Sequence, residues 1–364
     1  MSEEELEYDE DEVEEDDFED KEDFEDKDRN WNEDKKPLFI EHDSTIVRGC
    51  DKSAKEVVIP DDVTEIGEKA FRGCKSLGSI KIPVSVKKIG EEAFRGCKSL
   101  GSIKIPASVK KIGEYAFQEC DSLANVEIAE GVTEIGEWAF LYCTSLKSIK
   151  IPASVKKIGE YVFQECESLA NVEIAEGVTE IGEQAFYGCA SLKSVTIPAS
   201  VKEIGKSAFY GCASLKSVTI PTSVKEIGKG AFDECSSLES IKIPASVKKI
   251  GAWAFRCNSL ANVEIAEGVT EIGEWAFSRL PALKSIEIPA SVKKIGYYAF
   301  LECKSLKTVV IPASVEEIGY EAFRGCSSLE TVTIHGKPKL GKDVFKECVS
   351  LKKKPKSLFG FLIR

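Results

Sequence analysis

The chain has 364 residues and a formal net charge of −13, but the charge is uneven. Residues 1–36 contain 21 acidic and 5 basic residues, a net of −16, so the remaining residues carry a net of +3. Such a weakly charged body lacks the basic surface that nucleic-acid binding requires. No stretch reaches the roughly 18 to 20 apolar residues that span a membrane. We therefore expect neither a nucleic-acid partner nor a transmembrane span.

Residues 1–36 are predicted to be a disordered acidic tail, because few apolar groups offset the entropy of ordering. The motif Asp-Phe-Glu-Asp-Lys occurs twice, at 17–21 and 23–27. Two interpretations stay open: a segment that folds on a basic partner, or a tail that only solvates and repels. The N-terminus shows no secretory signal, so we expect a cytoplasmic location. The alternative is the cell surface, or secretion by a signal-less route.

Residues 37–58 are predicted to form an N-terminal hairpin cap. Two short strands, Phe39–Glu41 and Thr45–Arg48, flank the turn residues His42-Asp43-Ser44. A stack of repeats exposes an apolar end that must be covered for solubility, and a hairpin placed here would cover it.

Residues 59–351 repeat one phrase, with a spacing of 23 except for 22 between Ile243 and Ile265. The phrase begins at Ile59, Ile82, Ile105, Ile128, Ile151, Ile174, Ile197, Ile220, Ile243, Ile265, Ile288, Ile311 and Ile334. A unit of this length cannot bury a core alone, so it predicts one coil of a solenoid of about 13 coils. In residues 105–196, coils that start Ile-Pro alternate with coils that start Ile-Ala-Glu-Gly, which we interpret as duplication of a coil pair.

Each coil combines a strand with turns. Leu100, Ile103 and Ile105 alternate as a short strand with one buried face. Gly90 is predicted to supply a permissive backbone at a corner, and Gly96 is predicted to let the chain turn back toward Leu100. The predicted fold is a mainly β repeat solenoid. Short parallel strands form its concave face, and turns or short helical turns form the convex side.

A cysteine recurs at one position of the phrase. The column comprises Cys74, Cys97, Cys120, Cys143, Cys166, Cys189, Cys212, Cys235, Cys257, Cys303, Cys326 and Cys348. Stacked side chains that point the same way do not converge as metal ligands must, and Leu280 fills the remaining place. The total of 13 cysteines is odd. We expect buried free thiols, no metal and no cofactor.

Two surfaces are candidates for binding. On the concave face lie Lys81, Lys104, Glu127, Lys150, Glu173, Lys242, Glu264 and Glu287, which either bind a partner or neutralise one another. Two positions before the phenylalanine of a coil lie Tyr115, Trp138, Tyr161, Trp253, Trp275 and Tyr298, here called the aromatic edge. Aromatic residues dominate many interfaces, so we expect this edge to bind a partner. The alternative is local packing of the turns on one another.

The C-terminal residues 352–364 join a lysine run to an apolar end. They are predicted to be a cap on the last coil, or a tail that docks on a protein or on anionic lipid. His42 and His335 are the only histidines, and no phosphate loop or nucleophile elbow is present. The sequence therefore predicts no enzyme activity.

The phrase Leu-x-x-Ile-x-Ile-Pro-x-Ser-Val-x-x-Ile-Gly-x-x-Ala-Phe-x-x-Cys-x-Ser resembles the BspA-like, or Treponema-type, leucine-rich repeat from Ile59 to about Leu351. Members of that class are typically surface adhesins that bind matrix or other proteins. The resemblance implies a non-enzymatic scaffold for protein–protein interaction. The alternative is a host-facing adhesin or secreted effector that binds host or matrix proteins. The partner protein and the oligomeric state stay open.

Overall fold

The computed structural model describes residues 38–40 and 45–352. The predicted acidic tail, the hairpin turn His42-Asp43-Ser44 and residues 353–364 lie outside the described residues. At the N-terminus, β1 (Leu38–Ile40) pairs antiparallel with β2 (Ile46–Cys50). Strand β2 also pairs in parallel with β4 (Glu65–Ile66), which joins this hairpin to the first coil.

Each coil contributes two short strands, and the strands stack in two parallel rows. The first row comprises β3 (Glu56–Val58), β5 (Ser79–Lys81), β7 (Ser102–Ile105), β9 (Asn125–Ile128), β11 (Ser148–Ile151), β13 (Asn171–Ile174), β15 (Ser194–Thr196), β17 (Ser217–Thr219), β19 (Ser240–Ile243), β21 (Asn262–Ile265), β23 (Ser285–Glu287), β25 (Thr308–Ile311) and β27 (Thr331–Ile334). The second row comprises β4 and then β6 (Lys88–Ile89), β8 (Lys111–Ile112), β10 (Glu134–Ile135), β12 (Lys157–Ile158), β14 (Glu180–Ile181), β16 (Glu203–Ile204), β18 (Glu226–Ile227), β20 (Lys249–Ile250), β22 (Glu271–Ile272), β24 (Lys294–Ile295), β26 (Glu317–Ile318) and β28 (Lys339–Leu340).

The remainder of each coil consists of turns, and the described residues contain no helix. Backbone bonds join these turns to the next coil: the N–H of Tyr115 donates to the carbonyl of Glu137 at 3.1 Å, and that of Phe117 donates to Ala139 at 2.8 Å. Backbone hydrogen bonds thus join successive coils along the turns as well as along most of the strands. The predicted mainly β solenoid of about 13 coils is confirmed.

Identical side chains stack in columns through the interior. Twelve phenylalanines are fully buried, at positions 71, 94, 117, 140, 163, 186, 209, 232, 255, 277, 300 and 323. Their rings lie nearly parallel, with neighbouring centroids 4.9–5.6 Å apart. The core is therefore one continuous ladder, in which each ring depends on both neighbours.

The corner glycines have two different roles. Gly96 has a φ of +70°, a left-handed conformation that glycine adopts easily. Gly90 does not, so the prediction that it supplies a permissive backbone is wrong. A Cβ on Gly90 would lie 2.6 Å from the Glu68 nitrogen and 2.7 Å from the Gly67 carbonyl carbon. Glycine is needed there because successive coils approach too closely for a side chain.

The cysteine column differs from expectation at its first member. Cys74 forms a disulfide with Cys50 of the hairpin, so the prediction that every column cysteine is a free thiol is wrong at Cys74. The physical reason is that β2, which ends at Cys50, pairs with β4 of the first coil and so brings Cys50 close to that coil. The other eleven column cysteines are free. The Cys97 thiol, for example, donates to the carbonyl of Phe71 at 3.1 Å.

Thiol labelling tests this arrangement. Denatured but unreduced protein should show eleven reactive thiols, and reduction should raise the number to thirteen. In the native protein Cys348 should react first, because it is half-buried and a hydrogen bond from Cys326 lowers its pKa. Burial raises the pKa of Cys97 to about 12, which suppresses its reactive thiolate form. Thirteen thiols before reduction, or equal native labelling of Cys97 and Cys348, would contradict the arrangement.

The two-coil period has a physical basis. Glu130, in an Ala-Glu-Gly coil, accepts hydrogen bonds from the backbone N–H groups of Ala153 (3.1 Å) and Ser154 (3.3 Å) in the following coil. The Ser154 hydroxyl donates to the carbonyl of Val132 and accepts from the N–H of Gly131. The same pattern recurs at Glu176 and Glu267. Where the preceding coil starts Ile-Pro, the equivalent buried hydroxyls have no partner in the described part: Ser85, Ser108, Ser223, Ser246 and Ser314.

A matched pair of serine substitutions should separate these environments. Ser154→Ala should lower the free energy of unfolding by about 1 kcal/mol, because it removes two hydrogen bonds. Ser108→Ala should be neutral or stabilising, because it removes a buried hydroxyl that lacks a partner. Urea unfolding followed by circular dichroism would measure both changes. Equal losses in the two variants would show that the coil pair is not a structural unit.

Candidate functional site

The aromatic edge forms two blocks of stacked rings. In the first block, Tyr115, Trp138 and Tyr161 stack with centroids 4.9 and 5.0 Å apart. In the second block, Trp253, Trp275 and Tyr298 stack at 4.5 and 4.2 Å. The three coils between the blocks carry Gln184, Ser207 and Gly230 at this position. The solenoid thus brings residues about 23 apart in sequence into face-to-face contact.

All six residues of the edge have a left-handed backbone, with φ between 54° and 62°. This conformation costs a bulky residue about 1–2 kcal/mol, and stacking of aromatic rings returns about 0.5–1.5 kcal/mol. The inter-coil hydrogen bond from Tyr115 to Glu137 also holds the conformation in place. The left-handed backbone at this position was not predicted from the sequence, although Gly230 at the same position was a signal that could have revealed it.

The six rings are half-buried. Their faces cover one another within each block, which matches the alternative interpretation that the turns pack on one another. Each of the six residues nevertheless keeps part of its surface accessible, in two rows along the solenoid. The edge is therefore packed and preorganised, and its half-exposed rings can still contact another molecule.

A row of glutamates accompanies the first block. Each ring residue there directly follows a glutamate, namely Glu114, Glu137 or Glu160. Burial, and then the charges of Glu160 and Glu114, raise the pKa of Glu137. Burial and the charge of Glu114 likewise raise the pKa of Tyr115. The carboxylates of the row therefore repel one another, and their charge also acts on the Tyr115 hydroxyl.

The second block has different neighbours. The residues that precede its rings are Ala252, Glu274 and Tyr297, so no continuous carboxylate row is present. Instead, the Arg256 guanidinium lies over the Trp253 ring, 5.4 Å from its centroid. The same guanidinium pairs with Asp233 at 3.0 Å and with Glu234 at 3.1 Å. At this block, Arg256 therefore contacts both an aromatic ring and two carboxylates of the same chain.

The charges of the concave face largely pair with one another. Lys104 binds Glu127 at 2.7 Å, and Lys150 binds Glu173 at 2.7 Å. Lys242 pairs with Glu264 in the same way. In the described part of the chain, Lys81 and Glu287 form no ion pair on this face. Exposed pairs of this kind contribute about 0–1 kcal/mol to stability, and they leave little unpaired charge for a partner.

Within the described residues, no group of three or more His, Cys, Asp or Glu side chains is arranged to hold a metal ion. The described chain also contains no helix that is long and apolar enough to cross a bilayer. The candidate site therefore provides a surface for contact with another molecule. It consists of aromatic rings, carboxylates and lysine–glutamate pairs.

Comparison with known proteins agrees with this architecture. The family model described as "BspA type Leucine rich repeat region (6 copies)" matches residues 48–170, 156–280 and 231–352. A search of curated proteins returned no match. The similar solved structures include two crystal structures of bacterial proteins that are more than 30% identical.

One is a leucine-rich cell-surface protein from Faecalibacterium prausnitzii, which is 32% identical with a TM-score of 0.53, over 82% of this chain and 93% of that one. The other is a leucine-rich repeat protein from Bacteroides ovatus, which is 31% identical with a TM-score of 0.67, over 86% and 91% of the two chains. The matched residues cover both strand rows, the phenylalanine ladder and the aromatic edge. The chain belongs to the BspA-type leucine-rich repeat family.

Proposed function

We propose that the protein is a non-enzymatic scaffold that binds another protein through its aromatic edge. The observation that carries the proposal is the pair of stacked, half-exposed ring blocks on a rigid solenoid. Preordered aromatic side chains lose little conformational entropy when a partner binds. The concave face, by contrast, presents lysines and glutamates that already pair across neighbouring strands.

Quantitative capture experiments with the full chain as bait would test the edge against the concave face. The edge variant carries Trp138→Gln and Trp253→Gln, because Gln184 shows that the coil accepts glutamine at this position. The concave variant carries Lys104→Ala, Glu127→Ala and Lys150→Ala. We expect the edge variant to lose a partner that the concave variant retains, with circular dichroism unchanged for both. Loss by the concave variant alone would refute the proposal.

A second candidate function is that of an adhesin at the cell surface, in which the same scaffold faces a host or matrix protein. The Cys50–Cys74 disulfide favours it, because disulfides persist mainly in oxidising compartments. The similar protein from Faecalibacterium prausnitzii is described as a cell-surface protein. Protease added to intact source cells would separate the two locations. Digestion would support the surface location, and full protection would support the cytoplasmic location expected from the sequence.

A further inference from the structure

We propose that Cys326 and Cys348 form an oxidation site near the C-terminal end of the described solenoid. A small-molecule disulfide, such as oxidised glutathione, would convert the two thiols into a disulfide that fastens the last coil to the coil before it. The other end of the solenoid already carries such a bond, because the Cys50–Cys74 disulfide ties the hairpin to the first coil.

Cys326 and Cys348 occupy equivalent positions in the last two coils. Each follows the phenylalanine of its coil by three residues, and these two rings, Phe323 and Phe345, stack with centroids 5.5 Å apart. Stacked parallel strands are about 4.8 Å apart, and a disulfide bridges Cα atoms roughly 4.4–6.8 Å apart. The sulfurs of the two cysteines already hydrogen-bond to each other. They are therefore close enough to bond after rotation of their side chains.

Oxidation would replace weak interactions of the two thiols. The Cys326 thiol donates to the carbonyl of Phe300 at 3.2 Å, and the Cys348 thiol donates to the carbonyl of Phe323 at 3.1 Å. Both carbonyls belong to the preceding coil, so each sulfur already lies at a boundary between coils. A thiol is a weak donor, and the loss of these two hydrogen bonds therefore opposes the reaction only slightly.

Accessibility distinguishes this pair from the rest of the column. Cys348 is half-buried, whereas the other ten free cysteines of the described residues are buried. The neighbouring Val349 is 81% exposed. The hydrogen bond from Cys326 lowers the pKa of Cys348, which increases the fraction of its reactive thiolate form. Cys348 is therefore the thiol of this column that a dissolved disulfide can attack first.

Cys235 and Cys257 show the same arrangement inside the solenoid. Their sulfurs also hydrogen-bond to each other, and they are likewise 22 residues apart. Both are fully buried, so a dissolved disulfide cannot reach either sulfur while the coils stay closed. Contact between two thiols is thus not sufficient for the reaction, and the exposure of Cys348 is the additional requirement.

The reaction consists of two thiol–disulfide exchange steps. The Cys348 thiolate attacks one sulfur of the small disulfide, whose S–S bond breaks to leave a mixed disulfide and one small thiolate. Cys326 then attacks the Cys348 sulfur and releases the second small thiolate. The two cysteines are oxidised, the small disulfide is reduced to two thiols, and the cysteine protons pass to those thiols. Hydrogen bonds to Cys303 and Cys348, and then burial, raise the pKa of Cys326, and its fixed proximity to Cys348 offsets this disadvantage.

Peptide mapping under non-reducing conditions tests the proposal on the full chain. The native protein is incubated with oxidised glutathione, its free thiols are alkylated in denaturant, and it is digested with trypsin, which cleaves after lysine and arginine except before proline. Cys326 then lies in the peptide 325–339 and Cys348 in the peptide 347–352. We expect these two peptides to be linked, and the free thiols to fall from eleven to nine.

Three variants serve as controls, each with circular dichroism unchanged. Cys348→Ser should give no linked peptide. Cys326→Ser should stop at the mixed disulfide, with glutathione retained on Cys348. Cys257→Ser should still link 325–339 to 347–352, because it alters only the buried pair.

Hydrogen–deuterium exchange would measure the fastening of the last coil. The Gly341 N–H donates to the carbonyl of Ile318 in the preceding coil at 2.7 Å. Oxidation should slow exchange of this amide by about tenfold, because the bond restricts local opening of the last coil. The equivalent amide of Gly228, in the middle of the solenoid, should exchange at the same rate before and after oxidation.

Four results would count against the proposal. Equal linkage of the peptides 230–242 and 257–279, which carry Cys235 and Cys257, would show that exposure does not select the pair. Glutathione retained on Cys348 of the unaltered chain, or no reaction at Cys348, would overturn the proposal. A Cys326–Cys348 bond that leaves exchange of the Gly341 amide unchanged would refute its role in fastening the last coil.

Discussion

Gly228→Ala is expected to lower the free energy of unfolding by about 3 kcal/mol, the upper range for overpacking. The new Cβ would lie 2.5 Å from the Gly205 carbonyl carbon, and 2.6 Å from both the Gly205 oxygen and the Lys206 nitrogen. All three atoms belong to the backbone, so no side-chain rotation can make room. The two coils must separate, which weakens the 3.0 Å hydrogen bond from the Gly228 N–H to the Ile204 carbonyl.

Gly101→Ala is the matched control for that substitution. A Cβ at Gly101 would have no atom within 4 Å, and the backbone there is not left-handed. Alanine should therefore leave the free energy of unfolding unchanged or raise it by about 0.4–1 kcal/mol, because it reduces the conformational entropy of the unfolded chain. Urea unfolding by circular dichroism would compare the two variants. Equal stability would contradict the close approach of successive coils at the Gly228 column.

Phe186→Ala is expected to cost about 3–5 kcal/mol of unfolding free energy. The ring is fully buried, and it stacks on Phe163 at 5.4 Å and on Phe209 at 5.3 Å. Its removal leaves a cavity in the middle of the ladder and strips one contact from each neighbour. Because coils are stabilised mainly by adjacent coils, the defect should also divide the cooperative unit into two.

Phe345→Ala provides the comparison at the end of the ladder. Phe345 is 8% exposed and has one stacked neighbour, Phe323, at 5.5 Å. We expect a smaller loss and no division of the unfolding transition. Thermal and urea unfolding of the two variants would measure both properties. A cost at Phe345 equal to that at Phe186 would argue against a continuous ladder.

The repeat period predicted the solenoid and the columns of buried side chains that run through it. Residues at one offset, such as Phe94 and Cys97, were expected to form buried columns, and they do. The second strand row was not predicted. Its two-residue strands, such as β6 (Lys88–Ile89), are too short to show the alternation that identifies a strand.

Other features depend on atomic distances that a pattern cannot provide. Gly90 is explained by the approach of the preceding coil and not by its own conformation. Cys50 lies outside the repeated phrase and is 24 residues from Cys74, so the period did not connect the two.

The candidate site was predictable in outline only. The positions of the six aromatic residues followed from the sequence, and their stacking was one of two alternatives. The importance of the glutamates beside the first block was missed, because a row of Glu114, Glu137 and Glu160 is indistinguishable in sequence from a solvated face. Their significance depends on where the lysines point. Lys111 and Lys157 pair with Glu134 and Glu180, and the Lys157 charge also offsets part of the rise in the pKa of Glu137.

The proposed binding surface is the aromatic edge and not the concave face. Covalent footprinting of the full chain, alone and with its captured partner, tests this claim most directly. Hydroxyl radicals would report on Trp138, Trp253 and Trp275, while carbodiimide labelling would report on Glu127 and Glu173. We predict that partner binding slows oxidation of the tryptophans and leaves labelling of the two glutamates unchanged. Protection of the two glutamates with unchanged tryptophan oxidation would contradict the account.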